Sequence, residues 1–360
     1  MTSRERIKSI LSLEIPDRMG LHEHLWGETI RDYWSNEGYP KDTAPGDYFG
    51  YDIVGVAGTW FNVAPIRGQD ITVEETDEWR AAKDAWGATL KHWKHKSGTP
   101  EHLAYDCDSR ETWVRDFKPR VSSFDAARVD IKAVRESYQK LMAGDKFVVF
   151  NHHGHFEVLR ALIGNVKMLE SLLLEPEWIH DILGTYDRLF IEGFDYIIRE
   201  VGRPDGFFAY DDLGFRNGPF MGPETYRQVL LPHHKALMDF VHANGMPVIW
   251  HTCGDVRKLV PGLIEAGINC LQPMEAKAGN NVLEFARLYG DRISFMGNID
   301  VTRLNTNNRD VVREEIVPKL RELKRRRVPY IFHSDHSIPP DVRFETYKFA
   351  LELYRENAQY

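Results

Sequence analysis

The chain is expected to form one domain over residues 1–360, an α/β fold of the (β/α)8 TIM-barrel class, and three observations predict it. Eight short apolar runs recur, helical patterns separate most of them, and run after run ends in polar side chains. Strands that alternate with helices pair in parallel, and a closed barrel gathers their C-terminal ends at one mouth, where chemistry is done. A doubly wound open sheet meets the same periodicity; the convergence of polar strand ends favours the barrel.

In chain order the runs are "RMGLHEH" (18–24), "YDIVGVAG" (51–58), "KFVVFNHH" (146–153) and "DGFFAYDD" (205–212). They continue with "PVIWHTC" (247–253), "INCLQPME" (268–275), "RISFMGNI" (292–299) and "PYIFHSDH" (329–336). One intervening helical pattern, 222–244, opens on Gly-Pro and closes on Asn-Gly, which are start and stop signals. Residues 59–120 break the rhythm with short alternating polar and aromatic pieces, read as a β-hairpin excursion after the second strand, a lid or a dimer surface.

Composition narrows the function. A charged content of 28%, a hydrophobic content of 42% and a net charge of −8 describe a globular protein without the basic face that nucleic acid requires. The basic cluster Lys324–Arg327 reads as a solvated helix C-terminus. Three cysteines, Cys107, Cys253 and Cys270, make no disulfide framework, and no run suits a signal peptide or a membrane span, so a cytoplasmic location is expected.

The chemistry is expected at "VIWHTCGD". His251 and Cys253 alternate on a strand and point to one face, a geometry that suits two metal ligands and equally two packed residues. Glu275 and His336 end the next strand and the last one, so that His251, Cys253, Glu275 and His336 would meet at the mouth. Thiolate, imidazole and carboxylate donors suit Zn²⁺. Asp211 and Asp212 end the fourth strand and are candidates to orient substrate or a ligand, or to cap a helix. His22, His24, Asn151, His153, His155 and Glu157 are candidates to line the pocket or to protonate a leaving group. Asn298 and Asp300, in "GNID", are the candidate cofactor-facing pair and fix the mouth of the seventh strand. Trp26, Trp60 and Phe61 follow strand ends and either stack on substrate or pack in the core.

"HTCGDVRKLVPGLIEAGINCLQPMEAKAG", "FMGNID" and "SDHSIPP" resemble the uroporphyrinogen decarboxylase-like superfamily, and most of all its corrinoid-dependent methyltransferases. Looser matches are "TSRERI", "PDR", "SGTPEH" and "YDDLGF". The resemblance implies a methyl transfer between a small methylated molecule and a corrinoid carried by a partner protein, with Zn²⁺ at the mouth and a homodimeric assembly. Two departures matter. The arginines that grip carboxylates in true decarboxylases are absent from "GLHEHLWGE", and Gly58-Thr59 stands where those enzymes carry an aspartate. His336 also replaces the cysteine usual at the last ligand position, which leaves the metal more electrophilic and favours removal of a methyl group from oxygen. Methylation of a thiol by a methylcorrinoid, a tetrapyrrole-directed lyase and a metal-stabilised binding protein are the rival readings.

Overall fold

The computed structural model describes residues 1–95 and 99–360. Eight parallel strands form the barrel: β1 (Gly20–Leu21), β2 (Ile53–Gly55), β7 (Phe147–His153), β8 (Gly206–Tyr210), β11 (Val248–Thr252), β12 (Cys270–Pro273), β13 (Ser294–Met296) and β14 (Tyr330–Phe332). All eight lie within the expected runs. They neighbour one another in chain order, and β1 pairs with β14 in parallel register, Gly20 with Ile331. The last seam, β1 to β2, closes through the Asp52 amide, which donates to the Leu21 carbonyl at 2.7 Å.

That seam explains two of the early motifs. The buried Asp52 carboxylate accepts from the Leu21 amide at 2.8 Å and is held by Arg6 and Arg18, each at 2.9 Å. Arg6 comes from "TSRERI" and Arg18 from "PDR", so both motifs lock the barrel rather than serve its mouth.

Alternation sorts the strand residues into two layers. Ile53, Phe147, Val149, Phe208, Ile249, Met296 and Ile331 point inward, where Ile7, Ile10 and Leu11 of the helix Ser3–Leu11 join them. Their neighbours Val148, Phe150, Phe207, Val248, Trp250, Leu271 and Phe295 pack outward against the helices. The predicted helix at 222–244 is one element in three turns of geometry: Pro223–Thr225, a π-helical stretch Tyr226–Leu230, and Leu231–Ala243.

The excursion is a four-stranded antiparallel sheet in the order β3 (Ile71–Glu75), β4 (Trp79–Lys83), β5 (Ala88–Trp93), β6 (Glu101–Tyr105). Ser97 and Gly98 of the "SGTPEH" motif lie outside the described residues. A smaller hairpin, β9 (Gly214–Phe215) with β10 (Gly218–Pro219), follows β8. Two glycines let it seat on the loop after β11: a Cβ on Gly254, whose φ is +78°, would stand 2.2 Å from the Gly214 carbonyl carbon. No helix among the described residues is long and apolar enough to cross a membrane.

Candidate metal centre

His251 lies one residue before the end of β11, and Asp212 follows β8, the strand paired beside it. His251 Nε2 lies 3.2 Å from Asp212 Oδ1 and 3.4 Å from Cys253 Sγ. One ligand atom from each of Asp212, His251 and Cys253 falls within 4.8 Å of the others, and this is the one such group of three found among the described residues. Asp212 is further fixed by the Cys253 amide, which donates to Oδ1 at 2.8 Å.

The electrostatics of this trio fit a cation. Burial, then the Asp212 and Glu275 carboxylates, push the Cys253 thiol well above its ordinary range. Burial opposes ionisation of Asp212 too, yet its bond to His251 holds it down at about 2. His251 is lowered by burial but raised further by Asp212, so that its net shift is upward. Asp212, Glu275 and the Cys253 thiol share a desolvated corner with the His251 imidazole, and Lys277 stands 3.7 Å from Glu275. The S, N and O donors would suit Zn²⁺, whose charge would favour the thiolate form of Cys253. Three protein ligands would leave a tetrahedral Zn²⁺ one position for a reactant, as catalytic zinc has and structural zinc lacks.

The donor set differs from the sequence expectation. Asp212, expected to touch substrate, stands among the ligand atoms. Glu275 lies beside Cys253 but turns Oε1 to accept from the Gly254 amide at 3.1 Å, with Lys277 3.7 Å from Oε2. His336 stays apart: its Nδ1 meets the Ser337 carbonyl at 3.1 Å and its ring lies 6.1 Å from Trp26. Neither residue belongs to the close group.

Two cavities open on the trio. Asp212 and His251 line the first, of about 370 Å³, together with Trp60, Trp86, His153, Glu157, Ala161, Tyr210 and Asp211. Its walls are aromatic, with the Tyr210 ring centroid 5.1 Å from both Trp60 and His251. Burial pushes the Glu157 carboxyl up to about 7, against the pull of Arg160 at 2.9 Å. Cys253 and Glu275 line the second, of about 490 Å³, with Phe215, Arg216, Lys277 and Thr302.

The remaining candidates divide. His153 and Glu157 line the aromatic cavity. Asp211 touches its wall, but both carboxylate oxygens are engaged by the Phe156 and Glu157 amides at the start of helix His155–Ile163, and His234 lies at 2.8 Å. That is a helix-capping role. His22 is buried behind the mouth, its ring 5.0 Å from that of His24, and burial lowers it to about 4. Asn151 fills the notch over Gly55, where a Cβ would stand 2.2 Å from its Nδ2. His155 pairs with Asp187 at 2.7 Å, and Phe61 packs in the core against His152. Asn298 and Asp300 are occupied structurally. Asn298 Nδ2 donates to the Met274 and Asn280 carbonyls, and Asp300 caps the helix Val301–Asn305. Sequence reasoning missed Gln272, Tyr210 and Trp86. Gln272 sits opposite His251 in the β11–β12 register, a relation that only pairing reveals.

Residues 118–357 match the family profile described as "Uroporphyrinogen decarboxylase (URO-D)". The chain belongs to that family. A curated relative, a methylated-thiol–coenzyme M methyltransferase of Methanosarcina mazei, is 33% identical over 84 residues. That match covers 23% of this chain and about a fifth (21%) of the relative's own length. A solved methyltransferase from Methanosarcina mazei superposes with a TM-score of 0.66, at 15% identity, over 99% of both chains. At that identity the likeness carries the barrel and nothing finer.

Proposed function

We propose that this URO-D family member is a zinc-dependent methyltransferase of the corrinoid-linked branch. It moves a methyl group from a small O-methyl ether to a corrinoid on a partner protein. The observation that carries the reading is the N, S and O donor group, two of whose members, Asp212 and His251, line an aromatic cavity. When bound, Zn²⁺ supplies Lewis-acid stabilisation of the departing oxygen and the corrinoid cobalt supplies the nucleophile.

This chain's own residues do the rest. Trp60, Trp86 and Tyr210 offer flat faces to an aryl ring and exclude water from it. Glu157, raised to about 7 and so partly protonated at neutral pH, is set to give its proton to the oxygen that leaves. The second cavity, at Cys253, offers the corrinoid a separate approach. A tetrapyrrole lyase finds no arginine among the residues that line the aromatic cavity. We take residues 1–360 as one domain of a cytoplasmic protein, dimeric through the excursion, a state that sedimentation velocity reads directly.

A second reading has its own support. The curated relative is named for methylated thiols, which favours sulfur over oxygen as the methyl-bearing atom. A single-turnover experiment separates them: zinc-loaded protein, reduced free cobalamin, and a panel of aryl and alkyl methyl ethers and thioethers. Methylcobalamin formed from an ether supports the first reading. Transfer confined to sulfur compounds, in either direction, replaces it with the second.

A further inference from the structure

Beneath the donor group runs a row of buried polar side chains whose hydrogen-bond order can be assigned from one end. His333 is fully buried, and burial keeps its ring neutral. Its Nδ1 faces the carbonyl oxygen of Ser334. A carbonyl only accepts, so Nδ1 carries the proton and Nε2 is a lone pair. Two groups point at that lone pair, Gln272 Nε2 at 3.3 Å and His24 Nδ1 at 3.0 Å, and both must donate. Glu23 Oε1 lies 3.3 Å from the same nitrogen; burial pushes its carboxyl up to about 8, so it stays protonated at neutral pH and does not oppose the arrangement.

The consequences run outward in both directions. His24, donating through Nδ1, accepts at Nε2 from the Tyr210 hydroxyl at 3.1 Å. Gln272, with its amide nitrogen spent on His333, turns its oxygen to His251 Nδ1 at 2.5 Å. Rotating the amide would set oxygen against the His333 lone pair and nitrogen against His251, which breaks two bonds at once. An amide oxygen only accepts, so His251 Nδ1 holds a proton; the Asp212 carboxylate competes for one at Nε2, but from 3.2 Å against 2.5 Å for Gln272, so the neutral ring keeps its proton on Nδ1.

We propose that Gln272 and His333 are positioning residues that fix His251 as its Nδ1–H tautomer, leaving Nε2 as the lone pair aimed at the space shared with Asp212 and Cys253. The backbone carbonyl of Ser334 thereby sets the ligand atom of a residue on another strand. Partners of this kind typically change metal affinity about 10–100-fold.

What that lone pair is for rests on the zinc reading above; the tautomer does not. Long-range ¹H–¹⁵N correlation on histidine-labelled, metal-free protein at alkaline pH, where the ring is neutral, reads the tautomer directly. The His251 signals are assigned by their loss in His251→Ala. The wild type should show Nδ1–H. Gln272→Leu should shift His251 toward Nε2–H and weaken zinc binding at least about tenfold, and Gln272→Glu, which keeps an acceptor oxygen, should restore the tautomer. An Nε2–H wild type, or a Gln272→Leu protein with an unchanged tautomer, overturns the proposal. A wild type that shows Nδ1–H but takes up no zinc would leave the proposal standing and remove the zinc reading instead.

Discussion

Asp212 touches both of its fellow donors, 3.2 Å from His251 Nε2 and bonded to the Cys253 amide. Asp212→Ala should therefore lower zinc affinity at least about tenfold, whereas His336→Ala should leave it nearly unchanged. Zinc titration against a competing chelator checks both, and equal losses would restore His336 to the ligand set. Glu157 makes a prediction of opposite pH sense to a general base. A group with a value near 7 that acts as an acid must be protonated, so methyl transfer should fall as pH rises through about 7. Glu157→Gln should remove that limb and cost about 10²–10⁴ in rate; a profile left intact in this variant would dismiss Glu157 as the acid.

At the scale of elements, the barrel seam is a buried ionic joint. Asp52 serves two arginines and two strands at once, and removing one partner strands the other charges. Asp52→Ala should cost about 3–5 kcal/mol in denaturant unfolding, and a loss near zero would show that the seam closes without it. The barrel itself was legible in the sequence because each strand carries its own local signal: an apolar run, a polar end and a helix behind it. The excursion was legible for the same reason, through its alternation and turn residues. The donor set was only partly so. His251 and Cys253 share a strand and could be paired by alternation, but the third donor depends on which neighbouring strand lies alongside and how its last side chain turns. Glu275 and His336 stand at the right strand ends, yet one turns to the Gly254 amide and the other toward Ser337 and Trp26. Nothing local to "QPME" or "SDHS" encodes that.

Across the whole molecule, buried histidines set the response to acid. Burial lowers His22 and His152 to about 4, and lowers His24, His153, His234 and His333 as well. The unfolded chain binds these protons first, so the stability they carry is whole above pH 6.5 and is lost as pH falls toward about 4. Glu23 and Glu157, raised to about 8 and about 7, act the other way: their contribution is whole below 4.5 and is lost as pH rises through those values. Six lowered histidines outweigh three raised carboxyls, Asp335 being the third, and the raised His251, so with chelator present the unfolding temperature should drop from pH 6.5 to pH 4.5. A flat or rising profile would mean that these rings take up protons without unfolding.

The same burial shapes the candidate metal centre, where the proposed zinc ligands Asp212, His251 and Cys253 share a dry corner. Zinc K-edge absorption on the zinc-loaded protein tests this most directly, because it counts sulfur among the ligands. One sulfur at about 2.3 Å with nitrogen and oxygen neighbours at about 2.0–2.2 Å is the predicted shell, and its sulfur should vanish in Cys253→Ala. A shell of nitrogen and oxygen alone in the wild type would contradict the account.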